Sequence, residues 1–378
     1  MERASRVQGG VKGAASRTVE GTVEILAVGM VTPVGASAVQ TAASLRAGIG
    51  RLGESYVSDR FGKPMVMGLV DLEQLPPLVE ALEDREISLR HERLARLGGV
   101  ALRETLASAP HDPLPLLLGV AEPRAEARSA IGEEMIEILA TQTGVRFDDE
   151  CSRVYPLGRA AGLVALGEAL DLLDRGRAGA VLVGAVDSYL DMPLLEALDG
   201  EGRLRTGEVS DGFVPGEGAG FLLLTRAIPD SAVGRRYGSL PLARVAALGR
   251  ARESGHLYGP EPHRGDGLAS AFRAALGAPA AGPKDPRPAR VSSVYAGLNG
   301  ESYWGKEWAV AQIRSADRLA EPLRIAHPAD AMGDAGAALG TVMLGLAALD
   351  LARGRDTGPV LVWAASDHGE RAVALLTR

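Results

Sequence analysis

The side chains suited to chemistry stand mainly in two stretches late in the chain. Asn299, Glu301, Tyr303 and Trp304 form a polar–aromatic cluster just ahead of a helical pattern, the kind of loop that more often lines a site than a core. Glu301 has a second reading, as a cap for the helix that follows. Asp367 and His368 are adjacent on a loop between two apolar runs. A His beside an Asp offers an acid–base pair, whereas neighbours in sequence usually point apart, which would leave His368 an ordinary loop residue. His327, directly ahead of Pro328, has the place of a residue packed at a strand end.

Arg159 precedes an amphipathic helical pattern over residues 160–175. Its guanidinium has five donors, no acceptor and a pKa above about 12, so it cannot act as a nucleophile. A cation at the N-terminus of a buried helix is disfavoured by about 0.3–1 kcal/mol. Burial adds several kcal/mol unless an anion pairs with it. The single cysteine, Cys151, excludes an intrachain disulfide and a Cys-based zinc site, and reads as a small buried hydrophobe. His91, His111, His256 and His263 lack metal-ligand spacing, so neither a metal nor another cofactor is expected.

The elements that must position these residues are legible as apolar runs. Strands are expected at residues 23–28, 113–120, near Val154, and at 180–186, 221–225, 242–248, 291–296, 360–365 and 372–376. Helices are expected at 160–175, 267–276, 304–316 and 333–351. Strands that read as continuous apolar runs, alternating with helices, indicate sheet buried on both faces. Residues 277–290, rich in Pro and Ala, read as an exposed loop. Residues 1–21 are polar and read as a disordered leader, followed by two α/β halves at 22–252 and 253–378.

A chain of 378 residues with net charge −7 and no basic stripe argues against nucleic-acid binding. No apolar run approaches the roughly 20 residues of a membrane span, and a cytoplasmic location is expected.

Four stretches resemble the β-ketoacyl synthases, in order and approximate spacing across most of residues 22–378. They are Gly29-Met30-Val31-Thr32-Pro33-Val34-Gly35 with the following Leu45–Ile49, the helix opening Gly162-Leu163-Val164-Ala165-Leu166, the decapeptide Asp211–Gly220, and Gly333–Gly340. The decapeptide DGFVPGEGAG is the most specific of the four. The resemblance implies the thiolase-like fold, two pseudo-repeated α/β halves in an α-β-α-β-α layering, with two mixed sheets.

The resemblance also assigns positions. The family's nucleophilic Cys falls on Arg159, its first His on Leu298, its second on Asp334, and its Lys near Ala329. The closing loop falls on Ala365–Glu370, and Glu217 matches an acid that supports the site as a buried, hydrogen-bonded carboxylate. None of the reacting residues is present, so decarboxylative condensation by the family mechanism is not expected. Asp334 is then the partner expected for Arg159, and two readings stay open: an ion pair plugging a retired site, or an Arg159 that binds a ligand carboxylate or phosphate.

The leading expectation is a non-condensing homologue of fatty acid or polyketide type. It would bind an acyl chain, an acyl carrier protein or acyl-CoA, or an active ketosynthase, as a homodimer or heterodimer. Type II polyketide systems resemble this, pairing an active ketosynthase with a Cys-less subunit, although such subunits usually carry Gln rather than Arg at the Cys position. The alternatives are an acyltransferase-type enzyme using Glu301, Asp334 or His368 for acid–base work, and a scaffold with a plugged site.

Overall fold

The computed structural model describes residues 15–107, 113–127, 130–227, 240–277 and 289–378. Its elements, in chain order, begin with β1 (Ala15–Val31), α1 (Ala38–Arg46), β2 (Gly53–Ser58), β3 (Pro64–Met67), α2 (Glu80–Glu83), α3 (Leu89–Thr105), β4 (Leu116–Val120) and α4 (Glu134–Thr143). Then come β5 (Arg153–Pro156), α5 (Ala161–Asp174), β6 (Ala180–Ser188), α6 (Met192–Gly200), β7 (Glu217–Arg226), β8 (Ala243–Arg252), α7 (Asp266–Leu276) and β9 (Val291–Ala296). The chain closes with α8 (Ser302–Arg314), β10 (Leu319–Ala326), α9 (Ala329–Met332), α10 (Ala338–Ala352), β11 (Val360–Ala365) and β12 (Glu370–Thr377).

Instead of two separate sheets, ten strands form one, in the order β10-β9-β11-β12-β8-β1-β7-β6-β4-β5. The join is the antiparallel pairing of β1 with β8. Either side of it the arrangement repeats. Three parallel strands (β5, β4, β6) continue through antiparallel β7 to β1, and β10, β9 and β11 continue through β12 to β8. In this order β8 takes the place that β1 takes, so the second repeat opens ahead of Ala243 rather than at 253. The strand β1 starts at Ala15, which moves residues 15–21 out of the expected leader and into the sheet. Residues 1–14, and residues 278–288 of the expected Pro/Ala loop, lie outside the described residues.

The core explains the continuous apolar runs. Helices α5 and α10 share one cluster with strands of both repeats, including Val183, Leu222, Val362 and Ala374. Helices α3 and α4 cover the other face of the first repeat, and α7 and α8 that of the second. Each half of the sheet is thus buried on both faces, which is the α-β-α-β-α layering. The helix α10 has no polar face at all, since every residue from Ala338 to Leu351 is buried. It begins at Ala338 rather than Gly333, because residues 333–337 form a turn that carries Asp334.

Candidate functional site

Three chain reversals and the turn before α10 meet at one point. The first follows β5, where Gly158, at φ 56°, lets the chain turn sharply and drop Arg159 into the interior ahead of α5. The second is the Asn299–Glu301 loop between β9 and α8, and the third is the Ser366–Gly369 turn between β11 and β12. The decapeptide Asp211–Gly220 ties them together through its backbone. Asp334 N donates to Val214 O at 2.8 Å, and Asp334 O accepts from Gly216 N at 2.9 Å. A Cβ on Gly216 would sit 2.7 Å from Met332 O, so this approach requires glycine. The same segment pairs Phe213 with Arg203 and Arg205, and the Asp211 carboxylate accepts from Ser302 N at 2.6 Å at the start of α8.

Arg159 is buried, and each nitrogen of its guanidinium makes a hydrogen bond. Nη1 donates to Asp334 Oδ2 at 2.7 Å, Nη2 to Asp367 Oδ1 at 2.5 Å and Nε to Ala365 O at 3.1 Å. The guanidinium lies 4.3 Å from the centroid of the buried Trp304 ring, a cation–π contact. Behind it stands a second arginine that the sequence reading missed. Arg203 grips Glu301 with two hydrogen bonds, at 2.8 and 2.9 Å, and donates to Asp367 Oδ2 at 2.6 Å. Asn299 Nδ2 bridges Glu301 at 3.0 Å and Asp334 at 2.8 Å, and Trp304 Nε1 donates to Glu301 at 2.9 Å. Two guanidiniums therefore face three carboxylates, a formal charge of −1, and every carboxylate has several donors.

The electrostatics follow from that packing. Burial alone would lower the Arg159 pKa, but Asp334 and Asp367 outweigh it and push it up. Burial would raise Asp367, yet Arg159 and Arg203 bring it down to about 2. Glu301 is likewise held below the ordinary carboxylate range, because its hydrogen bonds with Arg203 outweigh burial. All of these shifts hold the charged forms in place.

An outer shell closes the assembly. Glu122, on the loop after β4, accepts from the backbone N–H groups of Asp367 (3.0 Å) and His368 (3.2 Å) and lies 3.3 Å from His368 Nδ1. Its hydrogen bond raises the His368 pKa. Tyr258 accepts from Arg124 and Arg203 and donates to Glu201 at 2.7 Å. The cleft leading to Arg159, lined among others by Glu122, Arg124, Tyr189, Arg203 and His368, holds about 40 Å³. Sites for small organic ligands measure about 300–1,000 Å³.

Of the residues expected from sequence, Arg159, Asn299, Glu301, Asp334 and Asp367 thus converge. Glu301 occupies the N-cap position of α8 but makes no side-chain cap bond; its carboxylate turns inward to Arg203. His368 and Asp367 point apart, Asp367 to the arginines and His368 to Glu122. Leu298 packs in the α7–α8 cluster, and Ala329 is buried in α9. Glu217 is a fully buried strut that accepts from Val70 N and Ser188 Oγ, both at 2.7 Å, and pairs with Arg93. Cys151 is buried ahead of β5, whereas Arg159 follows the far end of that strand. His327 is exposed and pairs with Asp330 at 2.6 Å, not packed as expected. His263 stacks on Tyr303 with ring centroids 3.8 Å apart. His111 lies outside the described residues.

Residues 75–228 match the family described as "Beta-ketoacyl synthase, N-terminal domain". Over those residues the chain resembles the N-terminal domain of the β-ketoacyl synthases. The sequence matches no curated protein. The fold is shared with solved ketosynthases. The oxazolomycin ketosynthase domain of Streptomyces albus JA3453 superposes with a TM-score of 0.74 at 16% identity, over 94% of this chain and 75% of that one. A ketosynthase in complex with its chain length factor from Xenorhabdus doucetiae gives 0.69 at 16% identity, over 94% and 98%. A type II polyketide acyl carrier protein in complex with its hexaketide-bound ketosynthase gives 0.69 at 16%, over 94% and 99%. Among the described residues no helix is long and apolar enough to cross a membrane.

Proposed function

We propose that the chain is a non-condensing ketosynthase-like subunit whose own site is closed by an ion network and which acts through a partner, an active ketosynthase or an acyl carrier protein. The observation that carries this reading is Arg159. It stands where the resemblance puts the nucleophile, and its donors are taken up by Asp334, Asp367 and Ala365.

Four features support the reading. A guanidinium cannot form an acyl-enzyme. Asp334, Asp367 and Glu301 are each held by donors, and Asp367 and Glu301 are held as anions, which suits those two poorly to proton transfer near neutral pH. A 40 Å³ cleft has no room for an acyl chain, which disfavours both chain binding at Arg159 and the repurposed acid–base enzyme. The relatives of like fold include a ketosynthase with its chain length factor and one with its acyl carrier protein, the two kinds of partner named here.

The test is native mass spectrometry of the tagged protein from its own host, followed by intact-mass analysis after incubation with acyl-CoA. The expected result is a heterodimer with a Cys-bearing ketosynthase, or a bound acyl carrier protein, and no covalent acyl adduct. A bare homodimer favours the scaffold reading over the partner reading. An adduct of acyl mass overturns both.

A further inference from the structure

A second cavity lies away from the closed cleft, between the end of α1, the edge strand β10, α9 and α10. It holds about 330 Å³, inside the range of small-ligand sites. Leu45, Ile325 and Leu346 form its apolar walls, and Arg46 and Arg324 enter it as cations.

The charges around it do not balance. Asp350, 4% exposed, is shared: it accepts from Tyr295 Oη at 2.8 Å and lies 3.3 Å from Arg355, 3.5 Å from Arg324 and 3.7 Å from Arg46. Asp356 is committed to Arg324 at 2.5 Å and to Ser293. A further carboxylate of the lining, Asp330, is 65% exposed and paired with His327 at 2.6 Å, so in the buried part three arginines share two carboxylates, and Arg46 comes off worst. At 3.7 Å it is beyond hydrogen-bond distance, and its guanidinium makes no hydrogen bond among the described residues. Its side chain is nonetheless only 30% exposed. Burial and the charge of Arg355 hold its pKa below the ordinary value, the mark of a cation short of an anion. Its position in the last turn of α1, near the negative end of the helix dipole, is a partial compensation.

We propose that this cavity is a binding site for a small anionic amphiphile, with a carboxylate or phosphate head between Arg46 and Arg324 and a short apolar body on Leu45, Ile325 and Leu346. The head supplies the missing anion. A planar oxyanion suits the fork of Arg46, whose donors are unused. The site is independent of the Arg159 network and of any partner reading.

The experiment is calorimetric titration of the whole protein with octanoate and with hexyl phosphate, repeated on Arg46→Gln and Ile325→Gln. Arg46 has no hydrogen bond to lose and Ile325 lies on an edge strand, so both variants are expected to fold as the parent does, checked by circular dichroism. At least one probe is expected to bind saturably, with Arg46→Gln weakening it about tenfold or more and Ile325→Gln weakening it severalfold. The ratio of the two affinities identifies the preferred head group. Absence of saturable binding by either probe, or binding that Arg46→Gln leaves unchanged, overturns the proposal.

Discussion

Replacing Arg159 by Met tests the closed network most directly. Met keeps an unbranched apolar body against Trp304 but removes the charge and five donors. Asp334, Asp367 and Ala365 O each lose a hydrogen bond, and the five-group cluster goes from −1 to −2. Breaking a buried pair from one side typically costs about 3–5 kcal/mol. The pH dependence carries more information than the size. Asp367 has a folded pKa of about 2, below its unfolded value of about 3.9. A depressed carboxylate contributes stability that is present above the unfolded pKa and lost as pH falls through the folded one. For Asp367 that contribution is about 2–3 kcal/mol at neutral pH. In Arg159→Met much of it is already gone, and the freed carboxylates can take a proton as the solution is acidified. Denaturant unfolding should therefore show a deficit of about 3–5 kcal/mol near pH 7 that shrinks towards pH 3. The double variant Arg159→Met/Asp334→Asn, back at −1, should recover part of the loss, which a double-mutant cycle measures. A variant as stable as the parent near neutral pH, or a deficit independent of pH, would refute the reasoning.

Three further outcomes are expected. His368, raised by its bond to Glu122, should titrate by NMR with a midpoint above the usual value of about 6.5, and Glu122→Gln should bring it back. The stability from that pair is present below the unfolded pKa and lost as pH rises through the folded one, so the cost of Glu122→Gln should be smaller near pH 9 than near pH 6. Gly68→Ala would set a Cβ 1.9 Å from Met332 O, against the turn that carries Asp334; a loss of about 1–3 kcal/mol or more is expected in thermal or denaturant unfolding, and an unchanged midpoint would contradict it. Arg159→Cys should not regain a reactive thiolate, because Asp334 then faces it without its arginine and Asp367 keeps only Arg203. Its alkylation by iodoacetamide near pH 7 should be slow, with buried Cys151 silent until unfolding, and rapid labelling of position 159 would argue against the charge count.

The parts of the fold legible in the sequence are those whose physics is local. Strands such as Leu116–Val120 and Val360–Ala365 are buried at every residue, so a plain apolar run marks them. The edge strand β10 was missed because it is mostly exposed and contains Pro322, so neither hydropathy nor alternation shows it. The hairpin β2–β3 and helix α3, with its arginines turned to carbonyls and to Glu217, were hidden by polar composition in the same way. Within the site, Arg159, Asp334 and the two late loops were found because motifs fix their places along the chain. Arg203, Glu122, Arg124 and Tyr258 were not, because nothing in their local sequence marks them. They reach the site from loops 81 residues apart in the case of Glu122 and Arg203, and only the assembled sheet brings them there.

The charge set explains why these residues form one unit and are not a list of substitutions. An arginine buried at the head of α5 carries a desolvation cost of several kcal/mol and meets the positive end of a helix. A single carboxylate at Asp334 would leave two of its three nitrogens unanswered. Asp367 answers another, but a second acid beside Asp334 adds repulsion that Arg203 relieves, and Arg203 in turn needs Glu301. Asn299 and Trp304 then supply neutral donors for the one negative charge left over. Each addition is the cheapest answer to the imbalance created by the one before. The chain of answers ends at Glu122, which holds Asp367 through its backbone and meets solvent through His368. In a network built in this way, moving any one proton unbalances its neighbours. The hydrogen bonds that make Arg159 tolerable are the same ones that hold Asp367 and Glu301 as anions, and the proposal of a partner-dependent role rests on that closed network.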